Sequence, residues 1–324
     1  MVRIGILGCS NIAYTRFVPA AKRIKDAELV CAAEEYDKSK LKKFCEDCGV
    51  VPEESFEALI ARDDIDAVYV PQPPALHYKW AKKALEAGKH VLVEKPATVS
   101  FDLTSDLVET AKKSSLALHE NYMFVYHSQI AAIRKLVEEG RIGDVKMYKM
   151  SFGFPMRQAN DFRYMKNLGG GALLDAGGYA VKLSCVLLGD TVKVDSARLT
   201  GLSGYEVDMY GSFTLADEKG TTVQASFGMD LGYQCRLEIW GSTGTLTANR
   251  IFTAGDGVEP EVDIVTNAGT DHIVLPEDSH FERSIEHFIE EINDTAAREK
   301  MYEEMLLQAR VMDEIKKVAS NYSV

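Results

Sequence analysis

No stretch of the 324 residues approaches 18 consecutive apolar positions, so the sequence offers no candidate for a membrane-spanning helix. The N-terminal apolar run Ile4–Cys9 is too short for the core of a secretory signal. Together these point to a cytoplasmic protein. Basic residues are in deficit: 37 Lys and Arg stand against 49 Asp and Glu, a formal net charge of −12. Such a chain lacks the basic face that grips a phosphate backbone, and anionic lipid would repel it, so no nucleic acid and no membrane is expected as a partner. Six cysteines, at 9, 31, 45, 48, 185 and 235, are scattered without the spacing of a disulfide framework. Cys45 and Cys48 form a lone CxxC, which reads as two thiols on an amphipathic helix. His119, His127, His272, His280 and His287 show no metal-ligand spacing, and no catalytic metal is expected. Tandem repeats and low-complexity linkers are missing as well.

What is present suffices for a folded chain of two domains. The hydrophobic fraction is 46%, and a chain of this length buries about three quarters of its unfolded surface without a disulfide or metal staple. Over the first 120 residues strand-like and helix-like stretches alternate. Val2–Leu7, Glu28–Ala33, Ala67–Pro71, His90–Glu94 and Leu116–Glu120 read as buried strands. Helical spacing fills residues 12–25, Lys38–Cys48, Phe56–Ile60, Tyr78–Ala87 and Leu103–Lys113 between them. Parallel strands need helical crossovers, so this rhythm predicts a doubly wound parallel sheet over 1–120. After a helix at Gln129–Glu139 the period changes to two. Val145–Phe154, Lys193–Leu202, Glu206–Leu215, Thr221–Asp230, Cys235–Trp240 and Gly244–Ala248 read as strands of one large, mainly antiparallel open sheet. One helix follows Gly169–Gly171, and two close the chain near 281–293 and 302–319. The second domain, an α+β domain, is therefore expected over 121–324, with its C-terminal helices free to pack back on the first.

Three motifs carry chemistry. Gly5-Ile6-Leu7-Gly8-Cys9-Ser10-Asn11-Ile12-Ala13 follows the first strand and opens the first helix. There, backbone N–H groups and the helix dipole can hold a pyrophosphate. Gly8 fills the tight-turn position, and Ser10 stands where the dinucleotide fingerprint has its second glycine. The second strand runs into Glu34-Glu35, where an acid accepts hydrogen bonds from ribose hydroxyls, and no arginine sits there to meet a 2′-phosphate. That favours NAD(H) over NADP(H). The fourth inner strand ends in Glu94-Lys95-Pro96, which sets Lys95 at the carboxyl edge where open α/β sheets bind ligands.

The EKP after the Gly88-Lys89-His90-Val91-Leu92 strand, the early glycine turn and Gly169-Gly170-Gly171-Ala172-Leu173-Leu174-Asp175-Ala176-Gly177-Gly178-Tyr179 together resemble the glucose–fructose oxidoreductase / inositol dehydrogenase (Gfo/Idh/MocA) family. Tyr69-Val70-Pro71-Gln72-Pro73, Leu76-His77 and Glu120-Asn121 fall in the same order, so the likeness runs along essentially the whole chain. The resemblance implies a Rossmann domain, an NAD(P)-dependent oxidoreductase acting on CH–OH groups, and catalytic positions at Lys95, Asp175 and Tyr179. With the motifs above it sets the cofactor-contacting group as Gly8, Ser10, Asn11, Ile12, Glu34, Pro71, Pro73, His77, Glu94, Lys95 and Asn121. Substrate contacts would come from Lys95, Tyr122, Phe124, Arg157, Arg163, Asp175 and Tyr179. Asp175 and Tyr179 are four apart, so a helix sets them on one face. Two departures stand out: Tyr179 replaces a histidine common in relatives, and Val125 an arginine.

The expected reaction moves hydride between nicotinamide and a secondary alcohol or ketone of a sugar, sugar derivative or cyclic polyol. Its rivals are a dinucleotide-sensing regulatory protein on the same fold and a glycosidase-like enzyme that oxidises transiently with bound NAD. A homo-oligomer, dimer or tetramer, is expected through the second sheet, whose strands carry Met147, Phe152, Phe213 and Phe227 in a pattern read as apolar on both faces.

Overall fold

A computed structural model describes residues 1–35 and 37–320. The chain divides into two units, one of residues 1–122 with 281–306, the other of 123–280 with those from 307 onward.

The first unit holds six parallel strands: β1 (Val2–Leu7), β2 (Ala27–Ala33), β3 (Val51–Glu53), β4 (Ala67–Val70), β5 (His90–Glu94) and β6 (Leu118–Asn121). Their order, β3-β2-β1-β4-β5-β6, is that of a dinucleotide-binding Rossmann sheet, with its switch point between β1 and β4. Strand identity follows from burial on both faces: Ile4, Ile6, Leu7, Val68, Tyr69, Val70, Val91 and Val93 are all 0% exposed. The crossovers use α1 (Val18–Ala21), α2 (Lys38–Cys48), α3 (Phe56–Ile60), α4 (Pro74–Glu86) and α5 (Phe101–Ser114). Asp37 caps α2 by accepting the Ser39 and Lys40 N–H groups, and Ser55 caps α3 through the Ala58 N–H. Where helical spacing predicts one helix over 12–25, the chain makes a π turn, Ala13–Phe17, ahead of the short α1. β3 has no sequence signal, because three residues with a proline show no period.

The second unit contains α6 (Ser128–Glu138), then β7 (Val145–Gly153), the buried α7 (Gly178–Leu188), and a run of seven strands. These are β8 (Lys193–Gly201), β9 (Asp208–Ala216), β10 (Thr222–Gly228), β11 (Gln234–Gly241), β12 (Gly244–Asn249), β13 (Glu261–Thr266) and β14 (Gly269–Val274). They form one sheet in the order β14-β13-β12-β11-β7-β10-β9-β8, antiparallel except where β7 meets β10. β13 and β14 lie beyond the strands expected from periodicity; five of the six residues of β14 are exposed, so no buried alternation marks it. The chain closes with α8 (His280–Asn293) and α9 (Thr295–Ser320).

Two expectations need correction. Residues 166–191 do contain a window apolar enough, by length and composition, to cross a membrane; 78% of it is buried inside the fold, as befits the core helix α7. The apolar residues on β7, β9 and β10 do not alternate between faces either. Phe152, Phe213 and Phe227 all point into the core at 7%, 2% and 1% exposure, with Tyr148, Met150, Leu215 and Val223 beside them. The opposite face carries Met147 among Lys149, Ser151, Ser212, Thr214, Gln224 and Ser226, with Tyr210 and Trp240 each 39% exposed. All six cysteines are buried, and none is in a disulfide. Burial pushes the Cys9 and Cys31 thiols up to about 12 and Cys45 up to about 11, which leaves them inert at neutral pH.

Candidate active site

In the first unit the ends of β1, β2, β4 and β5 bring the predicted cofactor residues to one edge. Gly8 has φ +121°, a conformation open to glycine, and a Cβ there would strike the Gln72 side chain. That side chain donates from Nε2 to the Leu7 carbonyl, so the tight turn is braced from the end of β4. Ser10 contributes differently from a glycine. Its hydroxyl accepts the Ala13 N–H at 3.2 Å and so caps the π turn at the helix start. Asn11 is exposed and Ile12 half-buried beside it. Glu34 is buried, and its carboxylate accepts the Cys9 N–H at 3.0 Å, tying the ribose end of the cleft to the pyrophosphate turn. Glu35 is used elsewhere, accepting the Phe56 N–H. A left-handed glycine turn, a capped helix start and a buried acid after β2 together fit a nicotinamide dinucleotide. Among the described residues no three His, Cys, Asp or Glu side chains gather as a metal site would require.

Lys95 follows β5, half-buried, with a cis bond to Pro96. Behind it the Glu94 carboxyl is buried, and Oε1 accepts the Tyr69 hydroxyl at 2.6 Å and the Asn121 amide at 2.7 Å. Burial pushes Glu94 above the usual carboxylate range, against the pull of those two donors and the Lys95 charge. Asn121 and Glu94 face one another at the ends of neighbouring strands. His77 is 1% exposed with its ring nitrogens against the Pro96 and Gln72 carbonyls, where it braces the Lys95–Pro96 turn. Two carbonyls would suit an imidazolium, but complete burial, with Lys95 close by, lowers its pKa to about 4 and keeps the ring neutral at pH 7. Pro71 and Pro73 flank Gln72 between β4 and α4.

The second unit holds Asp175 and Tyr179. Asp175 lies in a π turn, Leu173–Gly177, that runs directly into α7, and Tyr179 is the second residue of that helix. π segments cost regular hydrogen bonding and recur at functional sites. This one is held by Asp208 at the start of β9, whose Oδ2 accepts the Leu173 N–H at 2.7 Å. Gly171, at φ +121°, packs against the same carboxylate, so a side chain there would collide with it. Nothing in the sequence links residues 35 apart, so Asp208 is absent from the predicted site. The guanidinium of Arg163 donates to Asp175 Oδ2 at 2.7 Å and to Asp161 Oδ1 at 3.1 Å. With its side chain only 21% exposed, Arg163 is a bracing group for Asp175 rather than a surface arginine. Burial opposes its charge, but the Asp175 and Asp161 carboxylates outweigh that and raise its pKa further. Arg157 is exposed and lies 5.1 Å over the Phe154 ring.

Tyr179 is 8% exposed among Phe124 at 5.5 Å, Phe152 at 5.0 Å and Phe252 at 5.8 Å. This aromatic wall excludes water from one side of the phenol. Tyr122, at the end of the first unit, and Phe124 are both 0% exposed. Lys182, three positions on from Tyr179 and so on the same side of α7, is only 1% exposed.

A Rossmann sheet with a glycine turn and a cation at the end of β5, carried by a chain with a large open sheet, defines a nicotinamide-dependent oxidoreductase. The oxidoreductase family with an NAD-binding Rossmann fold, Gfo/Idh/MocA, matches residues 2–122, and the Gfo/Idh/MocA C-terminal domain matches 130–247. Over 316 residues the chain is 36% identical to a dTDP-3,4-didehydro-2,6-dideoxy-α-D-glucose 3-reductase of Actinomadura kijaniata, covering 97% of this chain and 95% of that one. The enzyme of the same description from Streptomyces violaceoruber is 39% identical over 292 residues, 90% of this chain and 85% of the other. A solved 3-ketoreductase from Actinomadura kijaniata, in complex with NADP and TDP-benzene, superposes with a TM-score of 0.94 at 35% identity, over 98% of this chain and 97% of that one. Variants of that enzyme have been solved with one tyrosine changed to phenylalanine and one lysine changed to alanine. The chain belongs to the Gfo/Idh/MocA family and is an NAD(P)-dependent oxidoreductase.

Proposed function

We propose that the protein reduces a ketone on a nucleotide-linked deoxysugar, with Lys95 and Tyr179 managing the proton. One observation carries the reading. The lysine and tyrosine altered in the solved 3-ketoreductase stand as far apart in that chain as Lys95 and Tyr179 do in this one, within an alignment that spans nearly all of both. Bound nicotinamide supplies the hydride. As the carbonyl carbon gains it, the oxygen becomes an alkoxide and takes a proton from the Tyr179 hydroxyl. A phenol with a pKa of about 10 gives up that proton more readily beside cations, and Lys95 and Lys182 are the candidates. Lys95 also polarises the carbonyl before transfer. Asp175, held by Arg163, orients the sugar hydroxyl next to the reacting carbon. The exposed, ring-stacked Arg157 is the proposed contact for the diphosphate. The test is turnover: NADH or NADPH should be consumed with the dTDP-linked 3-keto sugar and not with free hexoses. Consumption with free hexoses alone would overturn the nucleotide-sugar reading.

The proposed preference is for NAD(H). A buried carboxylate at the end of β2 suits the ribose diol and opposes a 2′-phosphate. In a fluorescence titration NADH should bind at least about tenfold more tightly than NADPH, the equivalent of about 1.4 kcal/mol. Equal or tighter NADPH binding would refute this, and the solved relative's NADP makes the comparison pointed.

The proposed assembly is a dimer or tetramer joined through the outer face of the large sheet. That face is built of serine, threonine and glutamine around Met147, Tyr210 and Trp240, with the Lys149 ammonium 4.0 Å over the Trp240 ring. Exposed aromatic residues and methionine are enriched where one protein surface meets another. Light scattering at micromolar concentration should report a multiple of 35.9 kDa; a monomer would sink the proposal. The proposed location is the cytoplasm, where nicotinamide cofactors and nucleotide-linked sugars are both available.

A further inference from the structure

Behind the Lys95 end of β5, the first unit contains a buried polar chain that none of the steps above uses. It begins on α8, where Glu291 Oε1 meets His119 Nδ1 at 2.8 Å. His119 Nε2 meets the Ser284 hydroxyl at 2.9 Å, and that hydroxyl donates to Asn121 Oδ1 at 2.8 Å. The Asn121 amide then donates to Glu94 Oε1 at 2.7 Å. Every member is at least nine-tenths buried: His119 and Ser284 are 0% exposed, Asn121 1%, Glu291 3% and Glu94 8%.

The polarity of this chain is fixed by its chemistry. A carboxylate only accepts, so the Asn121 end that faces Glu94 must be its NH2, which turns Oδ1 toward Ser284. Serine has one hydrogen, and it goes to Oδ1. The serine oxygen must then accept from His119, so Nε2 carries a hydrogen. From His119 Nε2 onward, each donor therefore points toward Glu94. Flipping the amide would set an oxygen against a carboxylate and its NH2 against a donor hydroxyl, which breaks two hydrogen bonds inside a dry interior.

We propose that Ser284, with His119 and Glu291, is a positioning group for the active site: it locks the Asn121 amide with its N–H end on Glu94, and so holds a carboxylate behind Lys95. The inference rests on Lys95 being the catalytic cation. The groups that elements packed around this strand end bring up are Tyr69 of β4, which also donates to Glu94, neutral His77 of α4, and His119, Glu120 and Asn121 of β6. Glu120 is occupied with the Ala97 N–H at 2.7 Å. A carboxylate beside Lys95 favours the ammonium. Loosening Asn121 removes a donor from Glu94, shifts that buried group toward its neutral form and weakens its hold on the charge. Lys95 should then lose its proton at lower pH.

The test reads Lys95 directly and needs no substrate. The pH dependence of its acetylation by acetic anhydride is followed by peptide mass spectrometry in the full-length protein and in Ser284→Ala, Glu291→Gln and Tyr69→Phe. Tyr69→Phe removes the other donor to Glu94 without touching α8, and sets the direction of the shift. Ser284→Ala and Glu291→Gln, each shown to be folded by circular dichroism, should move the midpoint in that same downward direction by at least about half a pH unit, within the range that loss of a neighbouring charge produces. Midpoints equal to wild type in both would overturn the proposal, even if stability falls, because a purely structural network would lower the melting temperature alone. Since no turnover is measured, this failure is distinct from an inactive Lys95→Met variant or a wrong substrate.

Discussion

Lys95→Met should lower turnover by at least about 10²-fold while NADH affinity stays within about threefold of wild type. Methionine keeps the approximate length of lysine and removes only the charge, and loss of one positioned proton-transfer group costs rate in this range. Cofactor affinity should survive because the Gly8 turn, the Ser10 cap and Glu34 are untouched. Tyr179→Phe should follow the same pattern less severely if Lys95 can hand over the proton itself. Turnover of both variants at saturating cofactor, after folding is confirmed, decides the matter. Near-native activity in Lys95→Met would remove the proton step from this lysine and return the dinucleotide-sensing alternative.

Gly170→Ala should damage the second unit more than any surface change. A Cβ at this position would overlap the backbone carbonyl of Arg163 and approach that of Phe162, neither of which can swing aside as a side chain can. Arg163 carries the ion pair that fixes Asp175, and its carbonyl accepts the Gly171 N–H at 2.9 Å. Forcing the strands of this loop apart should cost about 1–3 kcal/mol, as overpacking in a closed interior does. For a domain of this size that is about 2–4 °C of melting temperature per kcal/mol. Turnover should fall along with it, by roughly tenfold or more, since a displacement of about 1 Å in a positioning group already costs heavily. A thermal melt and an initial-rate assay on one preparation suffice, and an unchanged melting temperature would show that the loop yields freely.

The fold was legible where one period dominates over several residues. The strands β1, β4 and β5 are mainly apolar and are followed within two positions by a glycine or proline, and the alternation of β7 and β9 to β12 announced the second sheet. What escaped was local and irregular. The π turns at 13–17 and 173–177 look like helix in any periodicity count, yet they are the segments that follow the dinucleotide turn and carry Asp175. The site was legible as motifs and opaque as partnerships. Gly8, Lys95, Asp175 and Tyr179 could be named from their surroundings in the chain. That Asp208 would seat the Leu173 N–H, or that His119 would reach Ser284 on α8 across 165 residues, follows only from tertiary packing. The partners of Asn121 and His77 are likewise visible only in the packing: the Asn121 amide meets Glu94, and the His77 ring lies between the Gln72 and Pro96 carbonyls.

Isotopic labelling tests hydride transfer from the nicotinamide ring to a sugar carbonyl most directly. The protein is incubated with dTDP-linked 3-keto sugar and, in separate runs, with NADH carrying deuterium on one or the other face of C4. Mass spectrometry and proton NMR then read the sugar product. One deuterium bound to C3 of the sugar, from one of the two labelled faces and absent in Lys95→Met over the same interval, is the expected result. A product without deuterium from either face, or cofactor returned unconsumed with the sugar unchanged, would contradict it.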